Sequence, residues 1–221
     1  MTNNLRKDTK RAFDSIPEVD SIVVDPHKHG MQPYGCGSVL FKDPSVGRFY
    51  KHNSPYTYFS SDELHLGEIS LECSRAGASA VALWATQKLL PLVKTGEFSN
   101  LLSKTRNSSL NFFNKLQNDD RFIVTLEPEL DIVVWLVKSE SVSLSSALSQ
   151  KVFEEAEKFN LHFALTDLPV EFFKLADSNI KIDTPTVRAL RSVLMKPEHE
   201  SYINKIFELL CSVTDKVKSE F

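Results

Sequence analysis

Cysteine is scarce in this chain of 221 residues, and the three present, Cys36, Cys73 and Cys211, are widely spaced and odd in number. That pattern excludes a disulfide framework and points to a reducing compartment. No charge of one sign dominates: 26 Lys and Arg against 29 Asp and Glu leave a net charge of -3. Neither nucleic acid nor an anionic membrane surface is therefore expected as a partner. No apolar run approaches the length needed to span a bilayer. The opening stretch, MTNNLRKDTKRAF, lacks the apolar region of a secretory signal. A cytoplasmic protein is the expectation. Internal repeats and low-complexity segments are lacking too.

What is present suffices for a core, since 42% of the residues are hydrophobic. The length fits one large domain or two small ones. Residues 3–13 read as the end of a helix. Residues 21–25 are a β-branched run stopped by Pro26 and read as a buried strand. Residues 37–41 read as a second strand. Between them lies a loop with Gly30, Pro33, Gly35 and Gly37, which puts Lys28 just past a strand end, where open α/β sheets place their chemistry. Residues 43–78 carry little regular pattern, and a Tyr/Phe/Ser/His-rich run over 49–65 is long enough to be a functional loop.

Further on, helices are predicted over 78–93, 98–116, 143–159 and 201–218. Ser143 is the expected N-cap of the third. Strands are predicted over 122–126, 132–137, 161–165 and 187–193, the last alternating as if one face were solvated. Residues from about 79 onward therefore form an α+β unit. Residues 1–78 offer two strands and a long loop, too little for an independent core.

A lysine that forms an imine must point its amine into a cleft and lose its proton, which desolvation and nearby positive charge promote. His27 and His29 flank Lys28, and in an extended stretch they would point to one side and Lys28 to the other. The ordinary alternative is a solvated surface lysine. His27, His29, His52, His65, Cys36 and Cys73 raise the question of a metal. The paired spacings of a zinc site are missing, so no metal is expected. Asp62, Glu63, Glu68 and Glu72 read as a solvated acidic cluster or as partners of Arg75.

The run Asp20-Ser21-Ile22-Val23-Val24-Asp25-Pro26-His27-Lys28-His29-Gly30 resembles the lysine motif of the group II pyridoxal-phosphate-dependent amino acid decarboxylases, which include glutamate, aromatic amino acid, tyrosine and aspartate decarboxylases. The likeness continues through residues 33–41, Tyr56-Thr57-Tyr58-Phe59 and Glu72-Cys73-Ser74-Arg75 to Trp84. It is specific over 20–95 and general beyond. It implies an α/β fragment of a fold type I pyridoxal-phosphate-dependent enzyme. Residues 1–78 would be a remnant of the cofactor-binding large domain, with the lysine motif and catalytic loop, and 79–221 the α+β C-terminal small domain.

The resemblance further implies that Lys28 is the Schiff-base lysine and that His27 contacts the cofactor phosphate. Tyr58 would help return a proton after carbon dioxide leaves, and Arg75 would bind the substrate carboxylate or serve structure. An amino acid substrate and a dimer with sites at its interface follow from the same likeness. The family's chain is roughly twice as long, a large catalytic domain plus a small one. In the family the earlier half supplies the aspartate that keeps the pyridine nitrogen protonated, the group stacked on the ring, and most of the phosphate loop. None of these has a candidate before Lys28. Two readings follow: a truncated decarboxylase, inactive alone and completed by a separate N-terminal half, or a non-catalytic dimerisation fragment that associates with a full-length relative.

Overall fold

Where apolar residues repeat with a clear period the chain folds as expected, and where they do not it stays thinly covered. The computed structural model describes residues 5–52, 65–69, 77–173, 175 and 179–221. It divides into two compact units, residues 4–97 and 98–221.

The first unit opens with α1 (Lys7–Asp14), an exposed helix followed by a 3-10 turn over Ile16–Glu18. Strands β1 (Ser21–Val24) and β2 (Ser38–Phe41) pair antiparallel, with Ser21 opposite Phe41 and Val24 opposite Ser38. A 3-10 helix over Pro44–Tyr50 stands where little regular structure was predicted. Pro44 pre-sets its first turn, and the Asp43 carboxylate caps it by accepting from the Ser45 N–H at 2.9 Å. Short α2 (Leu66–Ile69) and α3 (Ala78–Leu89) complete the unit. α3 stops short of residue 93 because Leu90 precedes Pro91, whose ring excludes helical geometry at the residue before it.

The expectation of a buried strand at 21–25 is corrected. Val23 is 68% exposed and Val39 58%, because a two-strand sheet buries its side chains only against a further layer, and among the described residues none covers these two. Among the described residues of this unit, the buried ones are Pro26, Gln32, Cys36 and Glu68. The division into compact units falls after Glu97, so α3 goes with the first unit. Two hydrogen bonds explain why. The Cys36 thiol donates to the Ser79 carbonyl at 3.7 Å, and the Gln32 amide donates to Thr86 Oγ1 at 2.7 Å.

The second unit is α4 (Glu97–Gln117), β3 (Phe122–Val124), β4 (Ile132–Val137), α5 (Val142–Glu157), β5 (Ala164–Pro169), β6 (Thr186–Val193) and α6 (His199–Glu220). The four strands form one antiparallel sheet in the order β3-β4-β6-β5. One face carries Val133, Trp135, Val137 and Leu190 against Phe112 of α4, Val152 of α5 and Leu210 of α6. The other carries Leu136, Val187 and Ala189 against Val170, Phe173 and Ile180. β6 is thus covered on both faces, and its exposed residues, Thr186, Arg188, Arg191 and Val193, do not make the single solvated side expected.

Two smaller expectations also shift. Ser141, not Ser143, caps α5: its hydroxyl accepts from the Leu144 N–H at 3.2 Å, while Ser143 is held by Asp183. The strand predicted at 161–165 begins at Ala164. Asn160 turns left-handed at φ 56°, and the Leu161 N–H closes back on the Ala156 carbonyl at 3.1 Å, ending α5 with a tight cap that uses up the first residues of the predicted strand.

Arg121 fastens this unit at one end. Its guanidinium grips Asp119 with bonds of 2.8 and 2.7 Å and reaches Asp215 on α6 at 2.7 Å. The hydrogen bond from Arg121 holds the Asp119 carboxyl below the usual carboxylate range. A carboxyl depressed in the folded state stabilises it above the unfolded value, about 3.9 for Asp, and that contribution is lost as pH falls through the folded value. Thermal melts followed by circular dichroism should therefore show a midpoint that drops as pH is lowered below about 4. Asp119→Asn should lower the midpoint at neutral pH and flatten this acid limb.

Candidate functional site

Pro26 ends β1 and the chain turns. The Lys28 N–H bonds to the Asp25 carbonyl at 3.0 Å, and the Gln32 N–H returns to the Pro26 carbonyl at 3.2 Å. Residues 26–30 are therefore a turn, which corrects the extended alternation expected of His27, Lys28 and His29. Proline supplies the reason: it fixes φ and removes the amide that would have continued the strand.

The Lys28 ammonium pairs with the Asp25 carboxylate at 2.9 Å, and the lysine side chain is 66% exposed. The hydrogen bond from Lys28 holds the Asp25 carboxyl below its ordinary range. His27 stacks on Tyr34, ring centroids 4.9 Å apart. The turn thus presents an accessible primary amine beside an imidazole, with a carboxylate as the amine's resident partner.

Gly30 closes the turn by contact. A Cβ there would sit 2.6 Å from the Pro26 carbonyl oxygen and 2.7 Å from its Cα, both backbone atoms that cannot step aside. Gly30→Ala should force the turn open at about 1–3 kcal/mol, the usual cost of overpacking. Amide exchange at Lys28 and Gln32 is then expected to rise about tenfold or more by NMR. Protection unchanged at both positions would show that the turn accommodates a side chain.

Lys28 and His27 are brought together as neighbours on this turn. Tyr58 and Arg75 lie outside the described residues, as do Asp62, Glu63, Glu72 and Cys73. Glu68 is buried instead of solvated. It lies 3.8 Å from the Lys51 ammonium, its carboxylate accepts from the His65 N–H at 3.4 Å, and its carbonyl accepts from the His52 N–H at 2.9 Å.

Sequence reasoning missed Asp25 as the partner of Lys28, Tyr34 as the partner of His27, and Gln32 altogether. The Asp25-x-x-Lys28 spacing was a usable signal, since i,i+3 residues meet across a turn. Gln32 carried none. Among the described residues no three His, Cys, Asp or Glu side chains cluster so as to hold a metal, and no helix is long and apolar enough to cross a membrane.

Residues 4–138 match the pyridoxal-dependent decarboxylase conserved domain. The L-tyrosine decarboxylase of Enterococcus faecium is 30% identical over 164 residues, which is 68% of this chain and 26% of that protein. The L-tyrosine/L-aspartate decarboxylase of Methanocaldococcus jannaschii is 26% identical over 94% of this chain and 43% of its own length. The chain thus spans less than half the length of either relative. Among solved structures, the TDC of Oryza sativa with PLP and tryptamine superposes with a TM-score of 0.75 at 16% identity, over 95% of this chain and 41% of that one. Tryptophan decarboxylase of Catharanthus roseus in complex with L-tryptophan gives 0.70 at 18% identity, over 96% of this chain and 42% of that one. The fold is therefore that of a part of these larger α/β enzymes.

Proposed function

Because the chain belongs to the pyridoxal-dependent decarboxylase family, we propose that it is the C-terminal part of a decarboxylase acting on an amino acid, with Lys28 as the residue that holds pyridoxal phosphate. Pyridoxal phosphate is the cofactor of this family. The observation that carries the reading is the turn just after β1, where the Lys28 amine is accessible and His27 stands beside it.

The residues of this turn fit an aldehyde that bears a phosphate. Lys28 supplies the amine, and His27 supplies an imidazole able to donate to a phosphate oxygen. When bound, the cofactor supplies an electron sink for the pair left on the substrate's α-carbon after carbon dioxide departs. The chain's own residues have simpler tasks. Lys28 must exchange Asp25 for the cofactor, so the carboxylate holds the amine in place until then. By family likeness, Tyr58 delivers a proton to the α-carbon and Arg75 receives the substrate carboxylate or braces its loop.

The first unit leaves Val23, Val39, Leu40 and Trp84 exposed. These exposed apolar side chains favour covering layers, which we assign to the N-terminal portion of the enzyme, in cis or on a second chain, within a dimer. The same side chains are what a purely structural fragment would use to join a full-length relative, and chemistry at Lys28 separates the two readings.

The test is covalent mapping. The chain is incubated with pyridoxal phosphate, reduced with borohydride, digested and analysed by mass spectrometry. The peptide containing Lys28 should carry the label well above peptides containing other exposed lysines such as Lys42 and Lys88. Label spread evenly over surface lysines would remove the assignment.

A further inference from the structure

Gln32 lies four residues past Lys28 and is 8% exposed, in a unit with few buried residues. Its side chain gathers the turn from inside. One hydrogen of the amide nitrogen is shared between the Gly30 carbonyl at 3.2 Å and the Met31 carbonyl at 3.1 Å. The same nitrogen reaches across to α3 and donates to Thr86 Oγ1 at 2.7 Å. The Thr86 hydroxyl spends its own hydrogen on the Ala82 carbonyl at 3.0 Å, so it can only accept from Gln32. The direction of the amide is therefore set: nitrogen toward Thr86 and the two carbonyls, with the oxygen buried and without a hydrogen-bond partner among the described residues. The backbone N–H of Gln32 adds the bond to the Pro26 carbonyl at 3.2 Å that closes the loop.

The backbone shows why a clasp is needed. Met31 sits at φ 56°, a left-handed conformation that a residue with a long side chain seldom adopts unless its surroundings enforce it. The two carbonyls that flank this strained residue are the ones Gln32 collects. Pro26 and Gly30 fix the near side of the turn by contact; Gln32 fixes the far side and ties the whole to a helix.

We propose that Gln32, braced by Thr86, is a positioning residue for Lys28: its amide holds the 26–32 turn in the one conformation that presents the lysine amine for attachment of pyridoxal phosphate. The proposal rests on the assignment of Lys28 made above. It gives Gln32 no contact with cofactor or substrate. Its action runs through the turn alone.

Gln32→Met keeps the side-chain length and burial and deletes every side-chain hydrogen bond, and Thr86→Val deletes the far anchor while Thr86→Ser keeps it. The full chain is treated with pyridoxal phosphate and borohydride, and the rate of labelling at Lys28 is followed beside amide exchange at Lys28 and Gln32. Gln32→Met should lower the Lys28 labelling rate about tenfold, as expected when a single presenting conformer becomes one of several, and raise exchange at both amides. Thr86→Val should move both readouts the same way, and Thr86→Ser should restore them. Labelling at the exposed Lys42, outside the turn, should not change. If the wild-type chain labels Lys28 and Gln32→Met labels it as fast, the positioning role is wrong. If the wild-type chain does not label Lys28, the assignment of the lysine fails, and this proposal fails with it.

Discussion

Lys28→Ala is expected to remove covalent attachment of pyridoxal phosphate at the turn while leaving the fold in place. The two effects separate because of where the side chain sits. It is 66% exposed and pairs with the Asp25 carboxylate at 2.9 Å. An exposed ion pair contributes little to stability, since each charge is well solvated without the other. The thermal midpoint should therefore stay close to that of the wild type. Asp25 supplies a second readout. With the lysine gone, the hydrogen bond that holds its carboxyl down is gone too, so its titration should move back up toward the ordinary aspartate value, about 3.9, in a carboxyl-detected NMR titration. An alanine variant that still shows the visible absorption of bound cofactor, with its label mapped elsewhere, would overturn the assignment. A variant that melts early would instead show the turn to be structural.

Trp135→Ala is the substitution expected to cost the second unit most. Trp135 is fully buried at the centre of the sheet face covered by three helices. Its ring meets Phe122 at 5.2 Å, Phe163 at 5.4 Å and Phe112 at 6.3 Å, all near perpendicular, the arrangement that sets ring edges against ring faces. Its indole N–H donates to Ser192 Oγ at 3.2 Å. Removing the side chain leaves a hole walled by rigid rings and takes from the buried serine its hydrogen-bond donor. The expected loss is about 3–5 kcal/mol, a large part of the roughly 5–15 kcal/mol that holds a domain together. Urea unfolding followed by circular dichroism measures it. Trp135→Phe keeps most of the side chain's volume and loses the N–H, and should fall between. A loss below about 1 kcal/mol for the alanine variant would mean that the rings collapse into the space.

The second unit was largely legible because its residues are patterned to bury against one another. β4 and the three helices α4, α5 and α6 fell close to their predicted positions, since each carries its own period and meets a partner within the unit. Failures there were local and chemical. The left-handed Asn160 and the Ser141 cap decide where elements begin and end, and periodicity is blind to both. The first unit was legible only through its motif. The β-branched run at 21–24 reads as buried because such residues usually are, yet the layer that would bury it is not among the described residues of this unit. The loop after β1 was read correctly, but the alternation of His27, Lys28 and His29 gave way to a turn because Pro26, a single residue, outweighs it. Gln32 was invisible for a different reason. A buried amide that organises a turn depends on contacts 54 positions away, at Thr86, and no local pattern announces that.

The chain holds two tryptophans, and the fold has put one in each unit under opposite conditions. Trp135 is sealed among phenylalanines, while Trp84, on α3, is 61% exposed to water. Their emission should therefore differ in colour and in access to a quencher. Acrylamide will reach Trp84 and spare Trp135 for as long as the second unit is folded. Anything that settles on α3 and covers Trp84 will shift the red component toward blue without touching the other. The molecule thus carries its own pair of dyes, one reporting the integrity of its core and the other whether its bare flank has found company.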